Sequence, residues 1–191
     1  MGRGIKADRT LFLETLGQCA GLHRLKVHAY CLMPNHYHLI VETPRANLSA
    51  ALGWLQTTFT VRFNRRRARS GHLFQGRFKA HLVDADEYAL TLLRYVHLNP
   101  VRPRVKAAEV SPERWRELSA YPWSSHRAYA GAAPAPDWLT RDWLRRFGRR
   151  ARKSMSALCR PRLAKRWRRL GTPCVAVWCW AVRRSGRRRS A

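Results

Sequence analysis

Acidic residues are scarce in this chain, and none follows Asp142. The 191 residues include 11 Asp and Glu against 38 Lys and Arg, which gives a formal net charge of +27. An excess of positive charge on this scale repels itself and calls for a polyanionic partner, for which nucleic acid is the usual candidate. An anionic membrane surface is the weaker alternative, because the sequence shows no long basic amphipathic helix with which to bind one.

Regularly spaced cysteines and long hydrophobic runs are also missing. The cysteines are 5 in number, and none forms a CxxC motif. No signal peptide is evident, so the cysteines are expected to be reduced thiols in a cytoplasmic protein. The longest apolar stretch, 174–182, is too short to cross a bilayer of about 30 Å as a helix. The chain is therefore predicted to have no membrane partner.

The distribution of charge divides the chain near residue 148. Residues 149–191 contain 15 Lys and Arg and no acidic residue. We therefore predict a globular domain over 1–148, long enough for one hydrophobic core, and a basic tail over 149–191. Two interpretations of the tail stay open. It is either a DNA-binding arm or an aberrant, disordered sequence of the kind that a frameshift produces.

Hydrophobic periodicity within 1–148 indicates a mixture of helices and strands. In chain order the pattern predicts a helix over 8–23, strands over 25–32 and 36–42, a helix over 48–66, a strand over 77–83 and a helix over 85–97. The first two strands flank a turn that contains Pro34 and read as a β-hairpin. Asn47 is the predicted cap of the second helix, and Pro100 ends the third. This order predicts an α+β sandwich in which helices cover one face of an antiparallel sheet.

The stretch HYHLIVE, residues 36–42, carries two histidines one residue apart. On a strand, residues i and i+2 project from the same face, so His36 and His38 are expected side by side. Two neutral imidazoles that close form half of a divalent metal site, for which a third ligand must come from another element. The alternative is a pair of histidines on a solvated sheet face, and the spacing alone does not decide between the two.

The helix predicted over 85–97 carries a tyrosine in its last turn. Tyr88, Leu92 and Tyr95 share one helical face, which is typical of core packing. Tyr95, however, lies where its phenol could reach past the sheet edge, and Asn99 follows one turn later with an amide oxygen that suits a metal. A free phenol is a poor nucleophile without help. A metal on the histidine pair would polarise a phosphodiester and stabilise the charge that develops on it.

Five blocks of the sequence, in this order, resemble the REP-associated tyrosine transposases: YCLMPNHYHLIVETP, RFNRR, GHLFQGRFKA, LLRYVHLNPVR and WSSHRAYAG. These enzymes belong to the wider superfamily of HUH single-tyrosine transposases and relaxases, in which U is a hydrophobic residue. The resemblance extends over residues 7–148, and the blocks together are far more specific than the two histidines alone.

The resemblance implies a ferredoxin-like domain that cuts single-stranded DNA beside palindromic hairpins, as a nucleoid-associated transposase and endonuclease. On this basis His36 and His38 bind Mg²⁺ or Mn²⁺, and Tyr95 attacks the scissile phosphate to form a 5′-phosphotyrosine link. Asn99 stands where related enzymes offer a third metal ligand. The native metal, the hairpin sequence and the oligomeric state stay open, as does the question of whether Tyr95 serves the metal of its own subunit.

Segment 62–79 combines basic side chains with rings. Basic side chains neutralise phosphates and rings stack on unpaired bases, so the segment is predicted to bind single-stranded DNA. A solvated charged loop is the alternative. Arg102 and Arg104, just past Tyr95, are placed to hold the cleaved strand. The predicted DNA-binding residues of the segment are Arg62, Arg65, Arg66, Arg67, His72, Phe74, Arg77 and Lys79.

The sequence departs from the transposase pattern at its start. These enzymes begin with a β-strand that lies in the centre of the sheet, beside the histidine strand, and this chain shows no such strand before its first predicted helix. We therefore expect an N-terminally truncated sheet, in which each buried backbone group without a partner costs about 1–3 kcal/mol. A catalytically inactive nucleic-acid-binding remnant is the alternative function.

Overall fold

The computed structural model describes residues 3–101, 111–142 and 173–180 of the chain. Helices and strands alternate through the first range, short helices occupy the second, and a strand forms the third. In chain order the elements are α1 (Arg3–His23), β1 (Lys26–Leu32), β2 (His36–Glu42), α2 (Leu48–Arg66), β3 (Lys79–Asp84), α3 (Ala85–Leu98), a 3₁₀ helix (Asn99–Val101), α4 (Pro112–Ala120), α5 (His126–Tyr129) and β4 (Pro173–Trp180). No helix in the described ranges is long and apolar enough to span a bilayer.

The four strands form one antiparallel sheet in the order β1-β2-β4-β3. β1 and β2 pair as the predicted hairpin, with Cys31 opposite His38 and Leu32 opposite Tyr37. β4 lies antiparallel to both β2 and β3. The predicted α+β class and its antiparallel sheet are therefore confirmed.

The strand between β2 and β3 comes from the C-terminal segment, where we expect only a basic tail. Residues 173–180 read PCVAVWCW, a short apolar run typical of a strand inside a sheet. The backbone of this strand pairs with β2 on one side and with β3 on the other. No described strand precedes α1, and β4 takes the central position beside β2. The backbone partners that we expect β2 to lack are thus supplied from the other end of the chain.

Helices cover both faces of the sheet, whereas we expect them on one face. Tyr37 and His38 are neighbours on β2 and therefore point to opposite faces. The Tyr37 ring packs against Phe12 of α1 at 4.8 Å between centroids, and the His38 ring packs against Tyr95 of α3 at 5.6 Å. α1 and its neighbour α2 therefore lie on one face, and α3 lies on the other. The central residues of β2 are all buried, so hydrophobic alternation could not reveal this arrangement.

The outer edge of β1 is covered by the segment that follows α4. The backbone N–H of Leu32 donates to the Trp123 carbonyl at 2.8 Å, and the N–H of Ser125 donates to the Tyr30 carbonyl at 3.0 Å. A covered edge strand cannot pair with another chain. The sequence block WSSHRAYAG thus holds this segment against the sheet.

Candidate active site

His36 and His38 project from one face of β2, as the strand period predicts. Their Nε2 atoms lie 3.1 Å apart, and their ring centroids lie 4.9 Å apart with the ring planes at 82°. His36 is half-buried at the start of the strand, and His38 is buried. At this distance one neutral ring can donate its N–H to the other, or both nitrogens can face one cation. The pair is therefore close enough to bind a single metal ion.

Asn35, in the turn before β2, orients the first of these rings. Its Oδ1 lies 2.8 Å from Nδ1 of His36 and can only accept, so Nδ1 carries the proton and donates it. The Nε2 atom of a neutral His36 then presents its lone pair toward His38, as a metal ligand must. Burial lowers the pKa of His36, which favours the neutral ring. Asn35 is not among the residues predicted for the site, although it stands directly before the histidine strand.

The histidine pair would supply two nitrogen ligands to a divalent cation. Its Nε2 atoms lie 3.1 Å apart, close enough to bind one ion together. In the described part of the chain, no group of three or more His, Cys, Asp and Glu residues could hold a metal. Mg²⁺ ordinarily keeps several waters and binds substrate phosphates as well as protein. With such an ion bound to the pair, water and substrate would occupy its other ligand positions.

Tyr95 lies in the last turn of α3 and faces the histidine pair. Its ring meets the His38 ring edge-on, with 5.6 Å between centroids and 89° between planes. Tyr95 and His36 are both half-buried, so the site borders solvent. The structure thus brings together His36, His38 and Tyr95, the residues on which the predicted chemistry depends.

Asn99 begins the 3₁₀ turn that follows α3. Its Nδ2 donates to the Tyr95 carbonyl at 2.8 Å and to the Val96 carbonyl at 3.4 Å. Carbonyls in the last turn of a helix lack partners within the helix, so Asn99 caps the helix that carries Tyr95. No contact in the described part of the chain joins Asn99 to the histidines, and its role as a metal ligand stays a prediction.

Other tyrosines near the sheet are engaged in structural hydrogen bonds. The Tyr129 hydroxyl donates to the His28 carbonyl at 2.6 Å, and the Tyr121 hydroxyl donates to the Leu32 carbonyl. Burial raises the pKa of Tyr121 and of Tyr30 to about 12, and it raises the pKa of Tyr129 as well. Phenols that resist ionisation are poor nucleophiles, so none of these three competes with Tyr95.

Part of the predicted DNA-binding segment is held against α1. An Arg62 guanidinium nitrogen donates to the Thr15 hydroxyl at 3.1 Å, and Arg66 donates to a carbonyl of α1 at 3.2 Å. Arg67 forms an ion pair with Asp8. These three arginines contact α1, a use that the sequence pattern does not predict.

The rest of the segment divides between the surface and the core. Its exposed predicted residues are Arg65, His72, Arg77 and Lys79. Phe74 is half-buried, and its ring packs against Tyr37 and Phe59 at 6.0 and 6.2 Å between centroids. Core packing, rather than an open stacking surface, is therefore what the structure shows for Phe74. Arg102 and Arg104 lie outside the described residues.

Comparison with known proteins identifies a protein family and a curated relative. A family model described as "Transposase IS200 like" matches residues 5–99, which contain the histidine strand and Tyr95. A curated protein of Haemophilus influenzae, named as a REP-associated tyrosine transposase, is 28% identical over 113 residues. The match covers 46% of this chain and 64% of that protein, so the chain spans slightly less than two thirds of the relative's length. No solved structure matches.

Proposed function

Because the chain belongs to the IS200-like transposase family, we propose that it is a transposase and endonuclease that cuts and rejoins single-stranded DNA beside palindromic hairpins. One observation carries the proposal: the Tyr95 ring contacts His38, whose Nε2 lies 3.1 Å from that of His36. A hydroxyl nucleophile beside a chelating pair is the combination that metal-assisted phosphodiester transfer needs.

His36 and His38 are the residues that would hold a divalent cation, Mg²⁺ or Mn²⁺. When bound, such an ion polarises the phosphodiester and stabilises the charge that develops on its oxygens. Asn35 keeps the proton of His36 on Nδ1, so that Nε2 stays open to a ligand bond. Both histidines lie on one rigid strand that is paired on both sides, which holds their nitrogens at a fixed separation.

Tyr95 is the proposed nucleophile. Its phenol oxygen bonds to the scissile phosphorus, and the bond between phosphorus and the 3′ oxygen of the preceding nucleotide breaks. The phenol proton passes to solvent, and the departing 3′ oxygen takes up a proton. The products are a 5′-phosphotyrosine and a free 3′ hydroxyl. Because one phosphodiester replaces another, the step can reverse or transfer the strand to a new 3′ end without another energy source.

The proposed substrate is a single strand that carries a hairpin, which would place the protein at the nucleoid. Arg65, Arg77 and Lys79 are exposed and are proposed to neutralise its phosphates. His72 is exposed in the same segment and offers a ring on which an unpaired base can stack. These contacts favour single-stranded DNA because stacking on a protein ring needs a base outside a duplex.

A hairpin-bearing single-stranded oligonucleotide tests the proposal. Incubated with the full chain and Mn²⁺, it should form a protein–DNA adduct that survives denaturation, and EDTA should prevent the adduct. Tyr95→Phe should abolish the adduct and keep DNA binding, because only the nucleophilic oxygen is removed. Tyr121→Phe makes the same change at a tyrosine that bonds the Leu32 carbonyl, and it should retain the adduct.

Two outcomes would refute the mechanism: a folded wild-type protein without adduct, or an undiminished adduct in Tyr95→Phe. Salt-sensitive DNA binding without cleavage, indifferent to EDTA, would instead support the inactive remnant. The pairing of β4 with β2 weighs against that alternative, because the strand that bears the histidines has its backbone partners on both sides.

A further inference from the structure

α3 is fixed to the rest of the fold on the side opposite Tyr95. His97 follows Tyr95 by two residues, about 200° further around the helix. It is fully buried, and its Nε2 lies 2.8 Å from the Ser125 hydroxyl. The His97 ring also contacts the rings of His126 and Tyr129, at 5.6 and 5.1 Å between centroids. A polar contact therefore holds the last turn of the helix from behind the proposed nucleophile.

Ser125 is bound in turn to the backbone of β1. Its Oγ accepts from the Tyr30 N–H at 3.0 Å and lies 3.3 Å from the Tyr30 carbonyl, to which it donates. Because the Ser125 hydroxyl hydrogen is donated to the Tyr30 carbonyl, Oγ acts as an acceptor toward His97. The Nε2–H of His97 donates to it. Tyr30 pairs across the hairpin with Leu39, the neighbour of His38. Ser125 thus connects the tyrosine helix to the histidine sheet.

We propose that His97 and Ser125 are positioning residues for strand transfer, because their hydrogen bond sets the rotation of α3 that keeps the Tyr95 phenol at the histidine pair. This inference rests on the proposed function of Tyr95. The edge-on contact of the Tyr95 ring with the His38 ring, at 5.6 Å between centroids, does not by itself define the rotation of the helix. Misplacement of a reacting group by about 1 Å can cost roughly a hundredfold in rate, so a fixed rotation has kinetic value.

Space filling alone does not require polar groups at these positions. His97 and Ser125 are fully buried, and a buried polar atom costs free energy unless it is hydrogen-bonded. Nε2 of His97 is bonded to Ser125, whereas its Nδ1 has no partner among the described residues. Apolar side chains of similar volume would fill the space and remove that requirement. A hydrogen bond is directional and therefore fixes the orientation of α3, whereas apolar contacts at these positions would only fill the space. Replacing the bond while keeping the volume therefore separates the two roles.

The test uses full-chain variants: Ser125→Ala, His97→Leu, the double variant, and His97→Gln, whose amide can donate in place of Nε2–H. Ser124→Ala is the matched control, since Ser124 is a neighbouring buried serine whose hydroxyl accepts from the His126 N–H at 3.4 Å. Three properties are compared: the single-turnover rate of adduct formation, the affinities for Mn²⁺ and for the oligonucleotide, and hydrogen exchange of amides in the last turn of α3.

Ser125→Ala and His97→Leu should each lower the rate of adduct formation about tenfold or more, with both affinities within about twofold of wild type. The double variant should lose no more than Ser125→Ala, because that variant already lacks the bond to His97 as well as the bonds to Tyr30. His97→Gln should recover most of the rate, and Ser124→Ala should keep it. A lower rate with unchanged affinities would indicate that the two residues position Tyr95, because a general loss of structure would lower the rate and the affinities together.

An unchanged rate in both single variants, an equal loss in Ser124→Ala, or a parallel loss of Mn²⁺ and DNA affinity would overturn the inference. If the wild type forms no adduct, the proposed function fails and hydrogen exchange still decides the positioning role. In that case the last-turn amides of α3 should exchange at least about tenfold faster in Ser125→Ala than in Ser124→Ala. Equal exchange in the two variants would overturn the inference.

Discussion

At the scale of single residues, the candidate site depends on which nitrogen of His36 carries a proton. Asn35 holds that proton on Nδ1 and thereby keeps Nε2 available to a cation. We expect Asn35→Ala to lower the affinity for Mn²⁺ about tenfold or more, because the ring loses both its fixed tautomer and its orientation. Isothermal titration calorimetry with MnCl₂ measures this change.

A second variant at the same position serves as the control for this prediction. Asn35→Asp keeps an acceptor beside Nδ1, so it should retain the affinity of the wild type or exceed it. Equal losses in Asn35→Ala and Asn35→Asp would show that the side chain acts through the turn backbone rather than through His36.

Buried histidines away from the site make the fold sensitive to acid. Burial lowers the pKa of His28, His97 and His126, because an imidazolium loses its hydration in the core. In the unfolded chain each of these histidines binds a proton near pH 6.5, whereas in the folded chain it stays neutral to lower pH. The folded state therefore has its full stability above about pH 6.5 and loses stability as the pH falls below that value. We expect the free energy of unfolding to fall by up to about 1.4 kcal/mol per pH unit for each histidine, as measured by urea unfolding.

His126→Phe is the variant that isolates this effect. Neither ring nitrogen of His126 has a hydrogen-bond partner in the described part of the chain, so the phenyl ring replaces a titrating group without breaking a bond there. The variant should lose less stability than the wild type between about pH 7 and pH 5.5. The same pH dependence in both proteins would contradict a role for His126 in it.

At the scale of elements, the register of β4 allows a direct covalent test. Val83 of β3 lies opposite Cys174 of β4. Residues directly opposite in an antiparallel pair have Cα atoms about 4.5–5.5 Å apart, within the range that a disulfide spans. We expect Val83→Cys, after mild oxidation, to form a disulfide with Cys174 inside one chain, identified by peptide mass spectrometry and by monomer mobility on a non-reducing gel.

Leu82→Cys is the control for the cross-link. Leu82 is exposed on β3 and lies opposite Val175, one residue out of register with Cys174 and on the other face of the sheet. It should give little or no disulfide to Cys174. A cross-link between two chains would mean that the strand is exchanged between copies, and no cross-link in Val83→Cys would contradict the position of β4.

Elements with a strong local signal follow the sequence closely, and long-range placement does not. The bounds of β2 and α2 equal the predicted ranges, because an apolar run after a turn and an apolar helical stripe are local properties. β4 pairs with strands far away in sequence, and periodicity carries no information on a strand's partners, so the sequence indicated only an apolar run. The histidine pair is predictable from the strand period, whereas the approach of Tyr95 depends on which face of the sheet α3 covers. No local sequence pattern indicates the contact between Ser125 and His97, which lie 28 residues apart.

At the scale of the whole molecule, positive charge far exceeds what ion pairs within the chain can neutralise. The chain has 38 Lys and Arg for 11 Asp and Glu. One of the pairs in the described part of the chain, Arg67 with Asp8, joins an arginine of the predicted DNA-binding segment to α1. The net charge is expected to attract any polyanion, whereas the surroundings of each arginine determine which arginines can contact phosphates.

Salt titration separates arginines that touch DNA from those that hold the fold. Each phosphate neutralised on a single strand contributes about −0.7 to the slope of log affinity against log salt concentration. Arg77→Ala, at an exposed position, should make the slope shallower by about 0.7 and weaken binding alike for all sequences. Arg67→Ala removes the same charge from a residue paired with Asp8, and it should leave the slope unchanged. Fluorescence anisotropy with a labelled oligonucleotide over a range of KCl concentrations measures both slopes. If the two substitutions changed the slope equally, net charge alone would govern binding, and the division of the segment between DNA and α1 would be wrong.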